Sequence, residues 1–304
     1  MSRTNLLLGS VTRSARHASV LPVAFNRPDD IIAEAHVRNG CSSGSGGSNQ
    51  NVRRRLKEKL AATVTATRAV ADYIETAGLT RVQLMQILFV EWAPVYNDQM
   101  RRTGHFDALN GILKQFKSFL GPRMLDMTAG TGESIKIAAA TFGFRRIEFV
   151  QANDITASML KLAIRKLQRK GIPRSKITTS GLDIEDPKVS LLGGSFDTVL
   201  LIQTAEFLTN LNVALNHAIY AAKKGGHIII VSEFDHPQLT TRNGQPITLS
   251  TIVPALFSHL VRPVSQEAIK MIMSQAGAVF RSSHIEFVKG DPNHAMTGLV
   301  FEKL

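Results

Sequence analysis

Met124-Leu125-Asp126-Met127-Thr128-Ala129-Gly130-Thr131-Gly132-Glu133 is a short apolar run that ends in an acid, passes through a Gly-rich turn and opens a helical segment. Glycines in such a turn let a ligand approach the backbone closely, and the first N–H groups of the following helix have no partner inside it. The segment therefore reads as a strand, a turn and a helix able to hold a small ligand that carries a carboxylate or phosphate. Its plainer reading is a tight strand-to-helix connection and nothing more.

Working outward from this unit, short β-like runs alternate with helical segments. The strands are expected at Met124–Met127, Ile147–Ala152, Lys176–Ser180, Thr198–Ile202 and Gly226–Ser232, and the helices at Glu133–Thr141, Ala157–Lys170, Asn210–Lys223 and Ser265–Ala276. Strict alternation implies a parallel sheet, because each helical crossover returns the chain to the same strand direction. Phe280–Phe287 and Met296–Phe301 break the rhythm: the short Gly290–His294 link permits only a hairpin. The expected fold is α/β and Rossmann-like, a seven-stranded, mostly parallel sheet with an antiparallel last strand, helices on both faces and an N-terminal helical extension.

Upstream, Leu56, Leu60, Val64, Val70 and Ile74 follow a helical spacing, with Gly78 as a stop and Thr80 as the N-cap of the next helix. Asn39–Asn51 is Gly/Ser-rich and lacks the apolar residues that offset ordering entropy, so it reads as a linker. Residues 1–60 hold ten Lys/Arg (Arg3, Arg13, Arg16, Arg27, Arg38, Arg53, Arg54, Arg55, Lys57, Lys59) against four acids (Asp29, Asp30, Glu34, Glu58), half of the net charge of +12. Arg53–Arg55, Lys57 and Lys59 fit a solvated helix face better than a phosphate grip. No acid precedes Asp29, and the arginines alternate with apolar residues, the composition of an organellar transit peptide. Three regions follow: a disordered targeting segment and linker (1–50), a helical extension and lid (51–119), and the α/β domain (120–304). Cys41 is the one cysteine, which excludes an intramolecular disulfide. No apolar run approaches the roughly 20 residues of a membrane span.

The turn's ligand follows from its acids. A dinucleotide is one reading, since Asp154 lies near the distance at which an acid binds ribose hydroxyls. Against it, the third glycine of G-x-G-x-x-G is missing, and Asp126 at the strand end would repel a pyrophosphate. An acid there suits a ligand with an ammonium group, and S-adenosylmethionine combines an ammonium, a carboxylate, a ribose and an adenine.

Here the chain resembles the class I methyltransferases, whose first motif has the form D/E-x-G-x-G-x-G. Gly130 and Gly132 match its last two glycines, while Thr128 stands at the first. The resemblance implies that Asp126, Thr128, Gly130, Thr131 and Gly132 wrap the cofactor, that Asp154 and Ile155 meet the ribose, and that Asp183 and Ile184 in Gly181-Leu182-Asp183-Ile184-Glu185 meet the adenine. Gln203, closing the fourth strand, joins them by position. Ser195-Phe196-Asp197-Thr198-Val199 and Lys224-Gly225-Gly226 match the family's approaches to its fourth and fifth strands. Within the superfamily, Asp154-Ile155-Thr156-Ala157-Ser158-Met159-Leu160 and Ser232-Glu233-Phe234 are similar to the ubiquinone/menaquinone-biosynthesis C-methyltransferases. Trp92 through Met100 resembles the helix that many class I enzymes fold over the cofactor, which adds Tyr96. Those quinone enzymes carry a G-[IL]-R-N stretch after the fourth strand, where this chain reads Thr204-Ala205-Glu206-Phe207 and replaces their arginine with an acid.

Ligands of open parallel sheets sit beyond the carboxyl ends of the strands, a rule that selects Glu206, Asp235, His236, Asp291 and His294. His236 is the expected catalytic base, since histidine titrates near neutrality. Neither HxxxH nor clustered Cys/His spacing occurs, so no metal is expected. The expected function is S-adenosylmethionine-dependent methylation of a small aromatic or quinone-like acceptor in the mitochondrial matrix. Ile252-Val253-Pro254-Ala255-Leu256-Phe257 would line an apolar pocket, and a peripheral inner-membrane complex is the expected partner. The alternatives are a mitochondrial RNA methyltransferase, with nucleic acid as partner, and a non-catalytic ribosome-assembly factor that keeps the fold.

Overall fold

Thr80 opens the first described helix through a reciprocal cap. Its backbone N–H donates to Gln83 Oε1 at 2.9 Å, and Gln83 N–H donates to Thr80 Oγ1 at 3.3 Å, so two helix-end donors are satisfied at once. The computed structural model describes residues 80–189, 191–234, 236–240, 246–247, 264–288 and 294–304. The helical spacing at 56–74, Gly78, the targeting segment, the linker and the 252–257 run lie outside these residues.

In chain order the elements are α1 (Arg81–Arg102), α2 (His105–Gln115), β1 (Arg123–Asp126), α3 (Glu133–Phe142), β2 (Phe149–Asn153), α4 (Ala157–Arg169), β3 (Ile177–Ser180) and β4 (Phe196–Ile202). After them come α5 (Leu211–Ala221), β5 (Ala222–Ser232), β6 (His236–Thr240), β7 (Pro246–Ile247), α6 (Gln266–Gln275), β8 (Ala278–Phe287) and β9 (Ala295–Lys303). Seven strands form one sheet in the order β3-β2-β1-β4-β5-β9-β8, and β6 pairs with β7 apart from it. β9 runs antiparallel to both β5 and β8, and the other pairs are parallel.

Both faces of the sheet are buried, which explains why the central strands are almost continuously apolar. Met124, Leu200, Ile202, Ile229 and Val231 meet α2, α3 and α4 on one face. Leu125, Val199, Leu201, Ile228 and Ile230 meet α5 and α6 on the other. Each such fully buried aliphatic side chain contributes about 1.5–3 kcal/mol. Helix α2 belongs to this core: Ile112, Leu113 and Phe116 are at most 1% exposed. The hydrophobic core thus crosses the boundary expected at residue 120.

From β1 the chain builds outward through β2 and β3, then returns to place β4 and β5 on the other side of β1. The reversal lies between β1 and β4, and an open α/β sheet forms its ligand crevice outside the strand ends at such a point.

Candidate functional site

β1 delivers Asp126 to the crevice floor with no exposed surface. One carboxyl oxygen accepts the Thr128 N–H at 3.1 Å, and the other accepts the Ser134 hydroxyl from the first turn of α3. Burial pushes its pKa up to about 7 against the lowering effect of those two bonds. The residue expected to meet a ligand's ammonium is therefore enclosed, with both oxygens engaged in tying the turn to α3.

The turn itself needs two positive-φ residues, Gly130 at 50° and Gly132 at 76°, where a Cβ is disfavoured. A Cβ on Gly132 would lie 2.8 Å from that of Ala163, so α4 packs directly on the turn. A Cβ on Gly130 would meet nothing within 4 Å, which leaves its backbone open to close approach. Asp154, at the exit of β2, clamps this turn: its carboxylate accepts the N–H of Gly130 and that of Thr156, each at 2.8 Å. Burial raises its pKa in spite of those bonds.

Asn153, missed in the sequence, stitches three strand ends together. Its amide donates to Met127 O and Leu182 O, both at 2.9 Å, and its oxygen accepts from the Ser180 hydroxyl at 2.8 Å and Leu182 N–H at 3.0 Å. Thr128, standing at the family's first glycine, places its hydroxyl 2.7 Å from that of Thr204, which donates to Ile202 O at 3.0 Å. The departure from glycine thereby links the ends of β1 and β4.

α1 closes over this edge. Gln86 Nε2 donates to Ile155 O at 3.0 Å, and Asn97 Oδ1 accepts from the Thr131 hydroxyl at 2.5 Å and the Lys166 ammonium at 3.1 Å. Lys166 also reaches Glu133 at 2.6 Å, and Glu133 pairs with Lys136 as well. Burial alone would raise the Glu133 pKa, but the two lysines outweigh it and hold it low. Between these anchors, Tyr96 has its phenol pKa raised by burial and then by the charges of Glu206, Asp154, Asp126 and Glu133. It stays protonated at neutral pH and lies within electrostatic reach of all four acids.

The remaining expected residues are placed as follows. Asp183 accepts the Glu185 N–H at 2.9 Å just beyond β3. Ile184 buries its side chain in the core, and its carbonyl accepts from His217 Nδ1 at 3.1 Å. Gln203 adopts φ 50° and donates its N–H to Val231 O at 2.6 Å. The His236 backbone opens β6, while its side chain and all of Asp235 and Asp291 lie outside the described residues.

Past β4 and β5 lies a second group of acids. Glu206 is 3% exposed and accepts the Ser232 hydroxyl. Burial lifts its pKa to about 7, and the nearby charge of Glu233 adds to the shift. Glu233 accepts from His105 Nε2 and His294 Nε2, both at 3.0 Å. Burial would raise its pKa, yet the two imidazoles bring it down to about 2. His294 was an expected candidate; His105 and Glu233 were not.

These shifts fix a pH profile for stability. Asp126 and Glu206 have folded pKa values above their unfolded ones, so their burial is tolerated at low pH and becomes costly as pH rises from about 4 through 7. Glu233 has the opposite sign: its contribution is present above about 4.5 and is lost as pH falls toward 2. Half-buried His227, whose pKa burial lowers, opposes the first trend weakly below about 6.5. The urea midpoint of the ligand-free protein should peak near pH 4 and correspond to several kcal/mol less stability at pH 8. Equal midpoints at pH 5 and 8 would contradict the enclosure of the two acids.

Residues 125–230 match the family model described as a methyltransferase domain. Among solved structures, the magnesium protoporphyrin IX methyltransferase of Synechocystis PCC 6803 with bound S-adenosylhomocysteine is similar at 17% identity, with a TM-score of 0.50 over 78% of this chain and 99% of that one. The geranyl diphosphate C-methyltransferase of Streptomyces coelicolor A3(2) is similar at 15% identity and a TM-score of 0.48, covering 63% of this chain and 76% of its own. An S-adenosylmethionine-dependent methyltransferase of Mesorhizobium loti is similar at 16% identity and a TM-score of 0.48, covering 63% and 95%. No curated protein matches by sequence. Residues 125–230 are thus similar to a methyltransferase domain, and the sheet they build has the fold of the solved Synechocystis methyltransferase.

Proposed function

We propose that this protein methylates a small aromatic or quinone-like acceptor in the mitochondrial matrix, with Asp154 on the cofactor ribose and Glu206 as the proton acceptor. The observation that carries the reading is a carboxyl group, Glu206, buried at the carboxyl end of β4 one strand from the cofactor turn. The aromatic residues around that edge suit a flat, apolar acceptor: Phe89 of α1 meets Phe207 edge-on with ring centroids 6.1 Å apart, and Phe234 is buried just past β5. The arginine-rich, acid-poor leader supports the compartment. An import assay that finds the full chain outside mitochondria would reject that part.

The cradle fits the cofactor, since Gly130 is open to approach and the Asp154 carboxylate stands beside it with lone pairs beyond those its two N–H donors use. S-adenosylmethionine supplies an electrophilic methyl group on a sulfonium. Asp154 orients the ribose, Tyr96 and α1 exclude water, and Glu206 takes the proton of the acceptor's O–H or acidic C–H as the methyl bond forms. Asp154→Ala should weaken S-adenosylmethionine binding by about 1.5–3 kcal/mol, measured by calorimetry. Part of that loss comes from freeing the Gly130 and Thr156 N–H groups, so Asp154→Asn, which keeps an acceptor oxygen, should fall between. An unchanged affinity in folded Asp154→Ala would remove the residue from the cofactor site.

The substrate reading is tested by following labelled methyl from S-adenosylmethionine in organellar extract. Label in a lipid-soluble aromatic product supports it. The net charge of +12 favours RNA as the second reading. Label in RNA, with binding that weakens steeply as salt rises, would establish that reading instead.

A further inference from the structure

We infer that His105, Glu233 and His294 form a site for a zinc-type divalent cation. The three come from separate elements: His105 opens α2, Glu233 follows β5, and His294 precedes β9. Their ligating atoms all lie within 4.8 Å of one another. Four-coordinate zinc, with ligands at about 2.0–2.1 Å, needs donors roughly 3.3 Å apart, and two imidazoles with one carboxylate are a donor set that catalytic zinc sites use.

The hydrogen bonding around His105 accommodates a ligating role. The Thr103 hydroxyl lies 3.2 Å from Met100 O and 2.6 Å from His105 Nδ1. With the ring proton on Nδ1, facing the Thr103 oxygen, the Nε2 lone pair points toward Glu233 Oε1, 3.0 Å away, where one cation can be shared by both. The His294 ring lies beside that of His105 with centroids 5.0 Å apart. Thr103 is then the outer partner that orients a ligating histidine. The His294 side chain, 17% exposed, leaves a path for the ion.

Three protein ligands leave a coordination position for an exogenous group. Glu233 directly follows Ser232, whose hydroxyl binds Glu206, and the charge of Glu233 acts on Glu206, so the cation site lies within electrostatic reach of the proposed proton acceptor. If the function proposed above holds, the cation binds the acceptor's oxygen and increases its acidity, and the released proton passes to Glu206. The cation site itself rests on the three side chains and not on that function.

The test uses the full chain, stripped with chelator and free of cofactor and acceptor, titrated with cobalt(II) and then zinc. The expected result is one equivalent of cobalt with visible d–d bands, displaced by one equivalent of zinc. His105→Ala and His294→Ala should each abolish the bands, and Thr103→Val should weaken zinc binding by about 10–100-fold. Melting curves identify variants that have lost the fold, and partly exposed His294 is the variant expected to keep it. Absence of stoichiometric cobalt binding, or a site that survives in both folded histidine variants, overturns the inference. S-adenosylmethionine calorimetry on the same samples separates this failure from failure of the methyltransferase reading, because the cradle shares no side chain with the cation site.

Discussion

Glu206→Gln is expected to lower methyl transfer by about 10²–10⁴-fold while leaving S-adenosylmethionine affinity nearly unchanged. Glutamine keeps the shape and an oxygen for the Ser232 hydroxyl but cannot accept a proton, so the loss should fall on kcat with little change in the cofactor's KM. The same substitution has the opposite effect on the fold. Burial holds the native carboxyl at a pKa of about 7, so above that pH the folded state carries a buried charge that glutamine does not. The variant should lose less stability between pH 5 and 8 than the wild type does. Activity and stability thus move in different directions, an outcome that general structural damage does not produce. Full activity in Glu206→Gln would remove the proton-accepting role, and an unaltered pH profile of stability would contradict the raised pKa.

The central architecture was legible because strands buried on two faces leave a strong signal. Val199–Ile202 and Ile228–Val231 are uninterrupted apolar runs, and β4 and β5 end at the residues expected from the sequence, Ile202 and Ser232. The Gly-rich turn was legible too, since Gly130 and Gly132 hold backbone conformations that few other residues adopt. Where α2 docks was not. Apolar periodicity shows that a helix has a buried face but not which surface receives it, so a helix read as an extension lies in the core. His105 and His294 stand 128 and 61 residues from Glu233, and spacing rules for metal sites detect only ligands close in the chain. Asn153 lies beside the singled-out Asp154, but its four bonds reach strand ends that only the fold brings together.

The docking of α2 also links core packing to the histidine-glutamate cluster, and Gly298 tests the link. In β9, opposite Val231 of β5, Gly298 faces α2 so closely that a Cβ would lie 2.5 Å from both Ile112 Cγ2 and Phe116 Cε2. Ile112 and Phe116 are enclosed, and neither can swing out to solvent. Gly298→Val should therefore cost about 3 kcal/mol or more, a fall in melting temperature of roughly 6–12 °C. Any relief requires α2 to retreat from the sheet, and α2 carries His105 at its first residue. The retreat should draw His105 from Glu233 and weaken zinc binding in the same variant. The Gly130–Asp154 clamp, on the far side of β1 from β9, should keep its S-adenosylmethionine affinity. Adding Phe116→Leu opens space where the new methyl groups clash, so the double variant should recover stability and zinc affinity together, giving a favourable coupling of about 0.5–3 kcal/mol. Stability that recovers without zinc affinity would show that α2 is not the element joining the two.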